Sequence, residues 1–91
     1  MFSFEWDPNK ADANRRKHGV TFEEASSVFM DGLAVTFDDP ASSHTEKRER
    51  TYGISALNRL LVVCTTERGR AIRIISARKA TRHEAKIYQE G

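Results

Sequence analysis

Four residues in one short stretch, His44, Glu46, Arg48 and Arg50, are of the types that phosphodiester chemistry uses. Histidine and glutamate pass protons, and arginine forks onto phosphate oxygens. RNA cleavage needs no external nucleophile, because the adjacent 2′-hydroxyl attacks. The protein has only to orient that group, move two protons and hold charge on the phosphorane with fixed cations. Tyr52 and Tyr88 are available to stack on a base. The same side chains have ordinary uses as a surface histidine, a salt-bridged glutamate and packing tyrosines, and residue type alone leaves both uses open.

Other chemistries fit less well. The five glycines, Gly19, Gly32, Gly53, Gly69 and Gly91, do not cluster, so there is no phosphate-cradling loop for a nucleotide cofactor. His18, His44 and His83 lack paired metal spacing, and the lone Cys64 rules out a thiolate zinc site, so neither metal nor cofactor is expected. No serine or cysteine sits in an elbow motif beside an obvious base. Cys64 lies in an apolar run and reads as a small buried hydrophobe.

Charge is distributed unevenly. Residues 1–43 carry four Lys and Arg against eight Asp and Glu, whereas residues 44–82 carry ten against three, eight of the ten being arginines. Such a field favours polyanions. A merely solvated basic surface is the plain alternative.

The elements that must position these residues follow from the pattern. Leu60 to Thr66 and Ala71 to Arg78 are two branched apolar runs around Glu67-Arg68-Gly69-Arg70, which predicts a β-hairpin of central strands. Leu60 to Val63 and Ile74-Ile75 are apolar on both faces, so both faces must be at least partly covered. Arg73 and Arg78, set into this hairpin, should carry their heads to an edge or cleft, and an arginine on a stiff strand suits phosphate. Arg48 to Ser55 reads as a further strand with Arg48, Arg50, Tyr52 and Ile54 on one face, and Leu33 to Phe37 as another. Asp38 to Glu46, with Pro40 and His44, reads as a loop.

Phe2, Phe4 and Trp6 alternate with polar residues and predict a short strand closing a sheet edge. Asp7 caps a polar helix from Pro8 to His18 that stops at Gly19. Arg15, Arg16, Lys17 and His18 in its last turn complement the helix dipole, with ligand contact as their second use. Thr21 and Glu24 form a capping-box pattern for a helix ending at Asp31-Gly32, with Phe22, Ala25, Val28 and Phe29 as its core stripe. Thr81 and Glu84 repeat the pattern and start a final helix ending near Tyr88.

The chain has 91 residues, 38% hydrophobic and 31% charged, which predicts one domain, residues 1–91, with a small core. It has no membrane-length apolar run and no signal-peptide layout, so a cytoplasmic protein is expected.

Several blocks together carry a more specific resemblance: Phe4-Glu5-Trp6-Asp7, Lys17-His18-Gly19-Val20, Phe22-Glu23-Glu24-Ala25, His44-Thr45-Glu46-Lys47-Arg48, Arg59-Leu60-Leu61-Val62-Val63 and Arg73 to Thr81. From Phe4 to about Tyr88 the chain resembles the BrnT family of bacterial toxins. The resemblance implies an α+β, RelE-like fold, with N-terminal helices packed on an antiparallel sheet and a C-terminal helix. It also implies a metal-independent ribonuclease toxin of a type II toxin–antitoxin system that inhibits translation by RNA cleavage. A BrnA-type antitoxin would neutralise it and supply any contact with operator DNA. Functional weight then falls on Lys17, His18, Glu46, Arg48, Arg78 and Tyr88, with His44 a softer transfer. Arg48 and Arg78 are expected to hold the scissile phosphate, Glu46 or a histidine to move protons, Tyr88 to support substrate, and Lys17, His18, Arg50, Arg68 and Arg73 to bind RNA. Cys64-Thr65-Thr66 departs from the family's usual apolar residues without touching the basic ones. A non-catalytic nucleic-acid-binding regulator and a plain protein-interaction domain are the rivals.

Overall fold

Asp7 accepts a hydrogen bond from the Asn9 N–H at 2.8 Å, Pro8 opens the first helix, and Gly19 closes it at φ 70°, donating to Arg15 O. These local signals place α1 (Pro8–His18) where the sequence predicts it, in a computed structural model that describes residues 3–39 and 46–91. Around it run β1 (Ser3–Glu5), α2 (Phe22–Ser27), β2 (Val35–Asp38), β3 (Arg48–Ile54), β4 (Leu60–Arg68), β5 (Ala71–Lys79) and α3 (Arg82–Glu90). His44, Pro40 and Phe2 lie outside the described residues.

The second helix is shorter than its apolar stripe suggests. It tightens into a 3₁₀ turn over Val28–Met30, after Ser26 and Ser27 turn their hydroxyls back onto the carbonyls of Glu23 and Glu24. Its cap is half of the predicted box. Thr21 accepts from the Glu24 N–H, but the Glu24 carboxylate accepts instead from Arg59 Nε at 2.9 Å and from the Ser55 hydroxyl at 2.6 Å. The Arg59 guanidinium holds Glu24 below the usual carboxylate range, so this pair ties α2 to the β3–β4 turn. Asp31 starts β2 later than Leu33, because its carboxylate and carbonyl take the N–H groups of Leu33 and Ala34.

The sheet has the order β1-β5-β4-β3-β2. The β2–β3–β4–β5 ladder is antiparallel, but β1 joins β5 in parallel, so the sheet is mixed rather than antiparallel throughout. The physical reason is the connection: β1 meets its neighbour β5 only after α1, α2 and three other strands, the kind of long crossover that parallel pairing needs. On one face Leu61, Val63, Ile74 and Ala77 meet Val20, Phe22, Ala25 and Val28 in a sealed core, with Phe4, Trp6, Ala11 and Phe29 packed on it. Gly53 lies under this contact, where a Cβ would stand 2.7 Å from Val28 Cγ1 and 3.0 Å from Ala34 Cβ.

Because β1 reaches only Arg73, the rest of β5 lacks a strand neighbour on that side. Asn14 of α1 replaces one: its amide donates to Ala77 O at 2.8 Å and Val20 O at 3.0 Å and accepts from the Ala77 N–H at 3.1 Å. Buried Asn14 thus closes backbone groups that would otherwise be orphaned.

Candidate active site

The second face of the sheet carries the arginines. Strand alternation and register put Arg48, Arg50 and Tyr52 of β3 level with Thr66, Cys64 and Val62 of β4, and these with Arg73, Ser76 and Arg78 of β5. Arg73 and Arg78 are five residues apart and would point oppositely along a regular strand. The register shifts where Cys64 pairs with Ser76 and Thr65 with Ile74, leaving Ile75 as an extra residue. This bulge brings both arginines onto the same face. With Arg68 beyond them, five arginines from three strands share one surface.

Helix α3 covers one end of that surface. Tyr52 and Val62, outside the main core, are only 5% and 4% exposed there. The helix is fixed at both ends. Arg78 and Glu84 form a two-pronged pair at 2.7 and 2.9 Å, and the Tyr88 hydroxyl donates to Asp31 at 2.6 Å. Glu84 also accepts from the Thr81 N–H, completing the capping box. Arg78 and Thr81 together hold the Glu84 carboxyl down at about 2. Asp31 is kept below its usual range mainly by the Ile54 N–H, and it pushes the Tyr88 phenol up in turn.

At the other end the described residues place carboxylates beside the guanidinium groups. Glu46 lies 3.7 Å from Arg48 Nε and 3.4 Å from Arg68 Nη2, while Asp39 lies 3.9 Å from Arg50 Nε. Arg73 lies 2.7 Å from Glu5. Two of these partners, Glu5 and Asp39, come from the acidic first half of the chain, so folding offsets part of the basic field that the sequence concentrates in its second half. A phosphate oxygen has the same hydrogen-bonding chemistry toward a guanidinium group as the carboxylate oxygens that lie there.

The structure groups the sequence-predicted residues unequally. Glu46, Arg48, Arg50 and Arg68 gather at the end away from α3, with Arg73 beside them. Arg78 lies at the border with α3; two strand spacings and four residues separate it from Arg48, about 16 Å between Cα atoms. Tyr88 is engaged with Asp31 near the end of β3 remote from Arg48. Lys17 and His18 line a 230 Å³ hollow at the edge of β5 with Lys10, Asn14, Ile75 and Ser76. Cys64 is half-buried between Arg50 and Ser76 rather than sealed in the core, and burial pushes its thiol up.

A hollow of 340 Å³ at the sheet's rim is lined by Glu46, Lys47, Glu49, Thr66 and Glu67, and three carboxylates against one ammonium make it a poor phosphate site. Among the described residues no group of three or more His, Cys, Asp and Glu side chains is placed to hold a metal ion, and no helix is long and apolar enough to cross a membrane. Sequence reasoning missed the site's acidic partners Glu5, Asp39 and Glu84. Only Glu84 gave a signal, its capping box, and that points to a helix start rather than to Arg78.

The fold and site define a small α+β protein, a helix-backed mixed sheet with an arginine-bearing face, and comparison with known proteins makes the class specific. Residues 6–84 match the model of a family described as the ribonuclease toxin BrnT of type II toxin–antitoxin systems, and the chain belongs to that family. Among solved structures it is similar to the 1.1 Å crystal structure of the Brucella abortus ribonuclease toxin BrnT. The TM-score is 0.70 at 24% identity, over 90% of this chain and 100% of that one. At this identity the likeness is one of fold. A comparison with curated proteins gave no match.

Proposed function

We propose that this chain is a single-domain, RelE-like endoribonuclease that cleaves RNA without a metal ion, inhibits translation in the cytoplasm and is silenced by a BrnA-type antitoxin. The observation that carries the reaction is the end of the arginine face where Arg48, Arg50 and Arg68 stand around Glu46 and Asp39. The scissile phosphate displaces these carboxylates from the guanidinium groups. The 2′-oxygen attacks phosphorus while its proton passes to Glu46. The bond from phosphorus to the 5′-oxygen breaks, that oxygen takes up a proton from solvent water, and a 2′,3′-cyclic phosphate remains. The arginines hold the extra negative charge as it develops on the phosphorane, which is where fixed cations lower the barrier most.

Arg73 and Arg78 extend the cationic surface along β5, and Arg78 serves the phosphate next to the one that breaks. Lys17 and His18 lie past Ser76, where the strand of RNA leaves the sheet. The test is to incubate partner-free protein with 5′-labelled RNA in EDTA, beside Arg48→Ala. Cleavage by the wild type with cyclic phosphate ends, reduced about a hundredfold in the variant, is the expected result. RNA binding without cleavage, even with translating ribosomes added, would make the chain a binding regulator and end the ribonuclease proposal.

A further inference from the structure

Glu84 does more than cap a helix, and the geometry points to it as the positioning residue that aims Arg78 at RNA. This inference rests on the proposed binding of RNA by the arginine face. A guanidinium group has five N–H donors. In Arg78, Nη1 and Nη2 each give one to Glu84, at 2.7 and 2.9 Å, and Nη1 gives another to Lys79 O at 3.3 Å. The two donors left are Nε–H and the outer Nη2–H. They lie on the same side of the planar group and point in parallel, the arrangement that grips two oxygens of one phosphate. The Arg78 side chain is 37% exposed and that of Glu84 is 11% exposed, so the carboxylate is the buried member of the pair and the arginine the more accessible one.

Glu84 is itself fixed. The oxygen that bonds Nη1 also accepts from the Thr81 N–H, and the Thr81 hydroxyl accepts from the Glu84 N–H. The aim of Arg78 is therefore set by the first turn of α3. Glu84 takes the Nη1–Nη2 end of the guanidinium and leaves its Nε edge open.

The variants are Glu84→Gln, which can still cap α3, Arg78→Ala, and the two combined. On RNA, Glu84→Gln should lower kcat/KM at least tenfold, and the double variant should fall no further than Arg78→Ala alone. A double variant losing the product of the two single effects would show that Glu84 acts elsewhere. A second readout needs no cleavage: the NMR signal of the Arg78 Nε–H, followed while a 2′-deoxy oligonucleotide is added. It should shift in the wild type and stay still in Glu84→Gln. A wild-type signal that does not move, or a variant signal that moves as far, overturns the inference. Should the wild type shift but fail to cleave, the ribonuclease proposal falls while Glu84 keeps its assignment.

Discussion

On one face of the sheet, Leu61, Val63, Ile74 and Ala77 are at most 1% exposed against the helices; on the other, the same strands present Cys64, Ser76, Arg73 and Arg78 to solvent or to ionic partners. The two faces are one backbone read in alternate residues, yet different forces set them. The helix side is held by burial, which rewards close packing of whatever apolar shapes fit. Beyond the part that α3 covers, the arginine side is held by paired charges between part-exposed groups, and such pairs add little to stability. One face can therefore be selected for binding with little cost to the fold.

Substitutions should separate the faces. Leu61→Ala should have the largest effect on the fold, lowering stability by about 3 kcal/mol in urea unfolding, because it empties a sealed site. Asn14→Ala should follow at about 2 kcal/mol, since it leaves the Ala77 N–H and the carbonyls of Ala77 and Val20 without partners. A change in hydrogen exchange confined to β5 near Ala77 would confirm the site of damage.

Acid should act from the other side. Glu84 ionises at about 2 when folded against 4.5 as an ordinary glutamate, so its stabilising contribution is complete above about pH 4.5 and is lost as pH falls from there towards 2. Glu84→Gln should flatten that part of the stability profile. Arg48→Ala should move stability least, by under about 1 kcal/mol, while taking most of the RNA cleavage with it. If it unfolded the protein as Leu61→Ala does, the contrast between the faces would be wrong.

Much of the architecture was legible because it is local. Asp7, Pro8 and Gly19 mark both ends of α1, Thr81 and Glu84 mark the start of α3, and the branched runs mark β4 and β5, which extend to Arg68 and Lys79. The less legible parts depend on partners distant in sequence. Nothing near Asn14 says that it completes the edge of β5, 63 residues away. Glu24 looks like half of a capping box until Arg59 claims it. The parallel pairing of β1 is set by chain routing, which alternation does not encode. For the site, arginine content was visible, but the carboxylates beside the guanidinium groups were not, because Glu5 and Asp39 reach them only through the fold.

The extra residue in β5 changes how the chain's length can vary. Strand interiors ordinarily resist insertion and deletion, because one residue more or less reverses the facing of everything beyond it. At Ile75 the reversal is already built in. Removing that residue would leave Thr65 opposite Ile74 and Cys64 opposite Ser76, with Arg73 and Arg78 still on their common surface. A gap at this position in an alignment is thus compatible with an intact cationic surface. Matching relatives by odd and even positions would split one surface into two.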